Sequence, residues 1–173
     1  LSFHSQYDRL GGVRRYLHWL VRHRVIPMNP AASLDPPRVE RRLPKAILSA
    51  FEAEQILKVP DLSTPRGLRD RAILETLYAT GVRRQELAAL KIDDIDLENG
   101  RLMVRQGKGK RDRLLPLSER ACAWIEKYLE ESRFQISRGA DDGSLFISHI
   151  GKRMHPEQMT KIVRRSIEAA EIE

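Results

Sequence analysis

The chain has 173 residues and a formal net charge of +7, with 41% hydrophobic, 32% charged and 6% aromatic residues. This composition is typical of a soluble, helix-rich globular protein and excludes a disordered or fibrous one. No apolar run approaches the roughly 18 residues of a membrane span, and the length suits about one domain plus part of another. Because the chain begins at Leu1 without a signal-peptide pattern, we expect a piece of a cytoplasmic protein, in which the single cysteine, Cys122, is a buried thiol.

The positive charge is concentrated in the first quarter of the chain. Residues 1–47 contain nine Lys or Arg residues and three acids, whereas the remainder is nearly neutral. A basic segment of this kind favours a polyanionic partner, because each neutralised phosphate releases condensed counterions. A solvated charged surface without any partner is the alternative.

The first predicted element is a helix over residues 10–26, ended by the prolines that follow. Its apolar residues recur at helical spacing, while Arg14, His18 and Arg22 form a basic stripe four residues apart. One face is therefore expected to pack, either on elements upstream of Leu1 or on the body that follows, and the other to contact nucleic acid.

A linker is predicted next, over residues 35–47. This segment has three prolines, no hydrophobic periodicity and a dense basic charge, which favour an extended conformation between two domains. We assign DNA contacts to its basic residues, Arg38, Arg41, Arg42 and Lys45.

The remaining residues predict a mainly α fold with a small antiparallel three-stranded sheet (α+β). A capping box at Ser49 and Glu52, a Thr64-Pro65 start and a Gly81 stop delimit the first two helices. The pattern predicts helices at about residues 50–58, 65–80, 82–90, 119–131 and from residue 156 onward. It predicts strands at residues 102–104, 114–115 and 145–147.

Two motifs carry the candidate chemistry, and the first is Gly81-Val82-Arg83-Arg84-Gln85-Glu86-Leu87 at a helix start. Arg83 suits an anionic transition state, because a guanidinium bonds two phosphate oxygens at once and keeps its charge. Glu86, three residues later on the same helical face, can hold that guanidinium rigid. An ordinary surface Arg–Glu pair has the same spacing.

The second motif is the basic hairpin of residues 106–117. Lys108, flanked by Gly107 and Gly109, has a flexible side chain that can reach a bound phosphate and donate a proton. We assign DNA contacts near these motifs to Arg84, Arg105, Lys110, Arg111 and Arg113. Charged turns are also common on surfaces that bind nothing.

Taken in order, these segments closely resemble the tyrosine recombinases, the phage integrase and Xer-like family. The resemblance rests on residues 77–87, 93–97 and 107–117, on the 25 residues between Arg83 and Lys108, and on Asn29-Pro30-Ala31 and Arg42-Leu43-Pro44-Lys45 upstream. It covers the chain from about Tyr7 to Glu173.

The resemblance implies a domain plan and a reaction. Residues 1–34 would hold the last helix of a core-binding domain, residues 35–47 the linker, and residues 48–173 the first part of the catalytic domain. Arg83 would be the first catalytic arginine, Glu86 its supporting acid and Lys108 the mobile general acid. The family joins DNA to a tyrosine through a 3′-phosphotyrosyl link without metal or nucleotide cofactor. A homotetramer on double-stranded DNA is expected for the full-length protein and a monomer off DNA for this chain.

The chain departs from the family pattern where the His-x-x-Arg motif and the nucleophilic tyrosine are expected. Neither His149 nor His155 is followed by Arg at the third position, and the four tyrosines lie upstream, in helices where we expect packing roles. We therefore predict a chain that binds DNA but does not cleave it alone. A non-catalytic DNA-binding regulatory module is the alternative, and a metal-dependent nuclease using Asp93, Asp94 and Asp96 is a third.

Overall fold

The computed structural model describes residues 2–38, 47–105, 111–137 and 141–172, apart from the side chain of His4. The chain divides into two compact units, Leu1–Ile47 and Leu48–Glu173. No helix in the described ranges is long and apolar enough to cross a membrane.

The first unit is dominated by one long helix, α1, over Phe3–Arg22. It begins seven residues earlier than predicted and includes Gly11 and Gly12, because Ser2 caps it by accepting a hydrogen bond from the Ser5 backbone N–H at 3.2 Å. Such a cap offsets part of the roughly 1 kcal/mol that each interior glycine costs. Among the described residues of this unit, Ala31 is the one buried apolar side chain.

The second unit is mostly helical, and the predicted caps are confirmed. Ser49 and Glu52 exchange the two hydrogen bonds of a capping box, and Gly81 ends the second helix of this unit in the left-handed region at φ +59°. The helices are α2 (Ala50–Lys58), α3 (Pro65–Thr80), α4 (Arg84–Ala89), α5 (Glu119–Lys127), α6 (Phe134–Ser137) and α7 (Pro156–Ala169), with a 3₁₀ turn at Ile92–Asp94.

The sheet has three antiparallel strands in the order β1 (Ile95–Asp96), β2 (Arg101–Val104) and β3 (Arg113–Pro116). Leu102 pairs with both Ile95 and Leu115, and Val104 pairs with Arg113. The three-stranded sheet was predicted, but the third strand was placed wrongly at residues 145–147. That segment is buried, and it forms one isolated bridge, from Ile147 to Arg153, instead of joining the sheet.

Helices α5 and α6 are joined without a break by a π-helical turn over Tyr128–Arg133. The helical path therefore continues six residues beyond the predicted end at Glu131. Tyr128 is fully buried in this turn, where its ring stacks on Phe146 at 5.6 Å between centroids. Its hydroxyl donates to the Leu145 carbonyl at 3.1 Å, which fixes the turn against the loop that precedes α7.

A buried ion cluster crosses the helical core of the second unit. Glu75 of α3 is 1% exposed and accepts hydrogen bonds from Arg71 Nε at 3.0 Å and Arg120 Nε at 2.9 Å. Arg71 also donates to the Leu57 carbonyl at 2.6 Å and lies 4.6 Å from the Trp124 ring centroid. The cluster therefore connects α2, α3 and α5, and supplies partners for charges that would otherwise be buried alone.

Candidate active site and nucleic-acid interface

Arg83 lies where α3 has ended and α4 begins. Gly81 turns the chain, Val82 is buried, and Arg83 takes the N-cap position of α4 with an extended backbone. Leu87, one turn into the helix, is fully buried and anchors this end of α4 in the core. The Arg83 side chain is therefore held at its base by packed neighbours and is 58% exposed.

Glu86 is the centre of this site. Its Oε2 accepts from the Arg83 backbone N–H at 2.9 Å, and its Oε1 accepts from Arg83 Nη1 at 3.2 Å. The same two oxygens accept a fork from Arg113 of β3, with Nη1 to Oε1 at 2.9 Å and Nη2 to Oε2 at 2.6 Å. One carboxylate thus joins the start of α4 to the start of β3.

These contacts hold the pKa of Glu86 well below its usual 4.5, at about 2, chiefly because of the hydrogen bonds from Arg113. The carboxylate is therefore charged at any physiological pH. Because its folded pKa is lowered, its contribution to stability is present above about pH 4.5 and is lost as the pH falls toward 2. The cluster of one acid and two guanidiniums carries one net positive charge, with Arg83 its more exposed member.

Strands β2 and β3 are each held by an ion pair beside the segment that joins them. Arg105, just after β2, donates through Nε to Asp94 Oδ1 at 2.6 Å, and Arg113, the first residue of β3, pairs with Glu86. Lys108 and Lys110 lie outside the described residues, so the role of Lys108 as a proton donor to a bound phosphate stays a prediction.

Other predicted DNA contacts are distributed over both units. Arg84 donates to Thr160 of α7 at 3.1 Å, and Arg111 is exposed. In the first unit, Arg14 donates to the Ala32 carbonyl at 3.3 Å, while His18, Arg22 and Arg38 are exposed. The remaining predicted contacts, Arg41, Arg42 and Lys45, lie outside the described residues.

Two of the three aspartates considered for a metal site have structural partners. Asp94 accepts from Arg105 and from the Lys91 backbone N–H at 2.9 Å, and Asp96 accepts from Asn99. Within the described parts of the chain, no group of three His, Cys, Asp or Glu side chains is placed to hold an ion. Asp94 instead positions the end of β2.

The four tyrosines differ in burial. Tyr7, Tyr16 and Tyr78 are about half exposed, and the rings of Tyr16 and Tyr78 contact Trp19 and Arg120. Tyr128 alone is buried, and burial raises its pKa to about 12. Cys122, expected to be buried, is half-buried against the core, and desolvation raises its pKa, so its thiol is a poor nucleophile.

Two features were missed in the sequence. Arg113 was assigned to DNA alone, and its fork on Glu86 has no local signal because the two residues are 27 positions apart. An open apolar cleft of about 610 Å³ also lies between α3 and α7, lined by Leu77, Met159, Val163 and Ile167. Met159, Val163 and Ile167 follow one another at helical spacing along α7, so one face of that helix lines the cleft.

Comparison with known proteins gives a consistent assignment. The family model described as the phage integrase family matches residues 46–173. Tyrosine recombinase XerC 2 of Ralstonia nicotianae is 43% identical over 173 residues, which are 100% of this chain and 50% of that protein. This chain therefore spans about half the length of that curated relative.

Two solved structures carry the same fold. The crystal structure of XerA recombinase matches with a TM-score of 0.64 and 26% identity, over 99% of this chain and 56% of that one. The XerH site-specific recombinase, solved as a post-cleavage complex with palindromic difH substrate, matches with a TM-score of 0.59 and 26% identity, over 71% of this chain and 35% of that one.

Proposed function

Because this chain belongs to the phage integrase family, we propose that it is part of a site-specific tyrosine recombinase, and that it binds double-stranded DNA and supplies Arg83, Glu86 and Lys108 to strand cleavage. The observation that carries the proposal is the Glu86 carboxylate, which holds the exposed Arg83 at the first residue before α4. If Arg83 and Glu86 were only a solvated surface pair, Glu86 would not need the second arginine, Arg113, that β3 supplies.

The proposed chemistry assigns one task to each group. A tyrosine oxygen attacks phosphorus, the bond to the 5′ oxygen breaks, and that oxygen takes a proton. Arg83 stabilises the extra negative charge on the non-bridging oxygens, and Lys108 donates the proton. We propose that none of Tyr7, Tyr16, Tyr78 and Tyr128 is the nucleophile; for Tyr128, its complete burial and its pKa of about 12 support this.

A hybrid protein tests the proposal: the 173 residues replace the matching half of the Ralstonia nicotianae relative. The hybrid should form a covalent protein–DNA complex on a nicked suicide substrate carrying that relative's site. The 173-residue chain alone should bind the same DNA without a covalent link. A hybrid that binds tightly but never cleaves would instead support a non-catalytic DNA-binding module.

We further propose the domain plan and the assembly. Residues 1–34 would belong to a core-binding domain, residues 35–47 would connect it to the catalytic part, and the full-length protein would act as a tetramer on DNA. A single 20.0 kDa species in sedimentation of the free chain would agree with a monomer off DNA. A concentration-independent dimer would contradict it.

The linker arginines are expected to control affinity. Replacing both Arg41 and Arg42 with alanine should weaken DNA binding and lower the slope of log K against log salt by about 2, since each phosphate contact contributes about 1. Fluorescence anisotropy over a salt series measures the slope. The control is the double change Arg9→Ala and Arg15→Ala, which removes the same charge from the same unit. If the two double variants lose the same slope, the linker has no special role.

A further inference from the structure

We propose that Arg113 is a positioning residue, which orients Arg83 for the cleavage reaction by holding the Glu86 carboxylate that the two arginines share. The inference rests on the proposed function of Arg83 and departs from the assignment of Arg113 to DNA contact.

The geometry of the shared carboxylate is the first support. Each oxygen of Glu86 accepts one hydrogen bond from Arg83 and one from Arg113. A glutamate side chain has three rotatable bonds. With Arg83 as its only partner, the Glu86 carboxylate could still rotate, and the Arg83 side chain that is bonded to it would change position as well. The bidentate fork from Arg113 removes that freedom, because both oxygens must stay in the plane of the guanidinium.

The second support is the difference in exposure and bonding between the two arginines. Arg113 is 32% exposed and directs both of its Nη atoms at Glu86, whereas Arg83 is 58% exposed and directs Nη1 at it. Arg113 has committed its Nη1–Nη2 edge to Glu86, whereas Arg83 has committed one N–H of Nη1 and keeps its other donors for an anion. Arg83 is therefore the member suited to meet the phosphate, and Arg113 the member suited to support it.

The third support is the rigidity of the two backbone segments that carry Arg113 and Glu86. Arg113 is the first residue of β3, and its backbone pairs with Val104, which is buried in the core. Glu86 precedes the fully buried Leu87 on α4. The ion pair thus joins two elements whose backbones are independently fixed, which is what a preorganised site requires.

Nuclear magnetic resonance of the 173-residue chain tests the positioning directly. In the native chain, Glu86 should stay ionised down to about pH 3, since its pKa is about 2. In Arg113→Gln its titration should move toward the ordinary 4.5, and the order parameter of the Arg83 side-chain Nε–H should fall. Arg113→Lys keeps the charge without the fork and should give intermediate values. As a control, Arg66→Gln changes an exposed arginine outside this cluster and should alter neither signal.

DNA binding separates the inference from a direct DNA contact. Arg113→Gln should leave the salt slope of the 173-residue chain unchanged, whereas loss of a phosphate contact would lower it by about 1. A lowered slope with an unchanged Arg83 order parameter would overturn the inference. So would a Glu86 titration and an Arg83 signal that do not respond to either substitution of Arg113.

Cleavage by the hybrid protein connects the positioning to the reaction. Arg113→Gln should slow cleavage of bound DNA by about tenfold to a hundredfold with little change in Kd, because a small misplacement of a catalytic group is enough for such a loss. An unchanged cleavage rate would overturn the inference. If the native hybrid does not cleave, the proposed function fails, while the resonance measurements still decide whether Arg113 positions Arg83.

Discussion

Replacement of Arg83 by alanine in the hybrid protein is expected to slow DNA cleavage by at least about a hundredfold, the size of effect seen when one preorganised donor to a transition state is removed. Affinity for DNA should change little, since one phosphate contact among many is a small part of binding. Single-turnover cleavage on a suicide substrate gives the rate, and anisotropy gives the Kd.

Two matched variants define what that result means. Arg83→Lys keeps a positive charge but cannot donate in a fork, so it should recover binding and little of the rate. Arg84→Ala removes the neighbouring arginine, which donates to Thr160, and should affect affinity more than rate. If Arg83→Ala and Arg84→Ala weakened binding alike and cleavage alike, Arg83 would be one DNA contact among others and not a catalytic residue.

Replacement of Glu75 by alanine should destabilise the second unit by about 3–5 kcal/mol, because it leaves the buried Arg71 without its acid. The Arg71 guanidinium lies between the Leu57 carbonyl and the Trp124 ring, so it has no route to solvent that keeps those contacts. Urea denaturation followed by circular dichroism measures the change in the free energy of unfolding.

The control for this variant is the same substitution at an exposed pair. Glu131 is 55% exposed and lies 4.0 Å from Lys127. Its change to alanine should alter stability by less than about 0.5 kcal/mol, as is usual for surface ion pairs. Similar losses from Glu75→Ala and Glu131→Ala would mean that the buried cluster contributes no more than a surface contact.

The start of Arg83's helix was predictable because its signals are local. Gly81 allows the left-handed turn, and Glu86 reaches back to the Arg83 N–H across three positions. The capping box of α2 was visible for the same reason. Such signals depend on neighbours in sequence, and they position both Arg83 and Glu86 without knowledge of the rest of the fold.

The contacts that were missed depend on residues far apart in sequence. The strand at Ile95–Asp96 has only two residues, which is too short for a periodic pattern. It is defined by its pairing with β2. Segment 145–147 is apolar enough to resemble a strand, but its backbone pairs elsewhere. Apolarity alone could not separate a sheet strand from a buried loop.

The burial of charged residues also depends on contacts far apart in sequence. Arg71 and Glu75 are spaced like an exposed helical pair, yet both are buried, because α3 lies against α2 and α5. For Arg113, which has no local signal of its own, an indication lay in the unused capacity of Glu86. A carboxylate offers about four acceptor sites, and Arg83 uses two hydrogen bonds, so Glu86 had room for a second arginine. The sequence did not indicate which arginine would fill those sites.

The π-helical turn at Tyr128–Arg133 gives the continuous helix of α5 and α6 one residue more than its rotation requires. A π turn contains about one residue more than an α turn while it turns through about the same angle, so α6 leaves it in the direction that a regular helix one residue shorter would give. Deleting one residue from this turn would therefore let it close as an α turn, with Ile136 still buried and the 81% exposed Phe134 still facing solvent. A one-residue gap in an alignment at this turn would mark a relative whose helix is regular here and whose packing is the same.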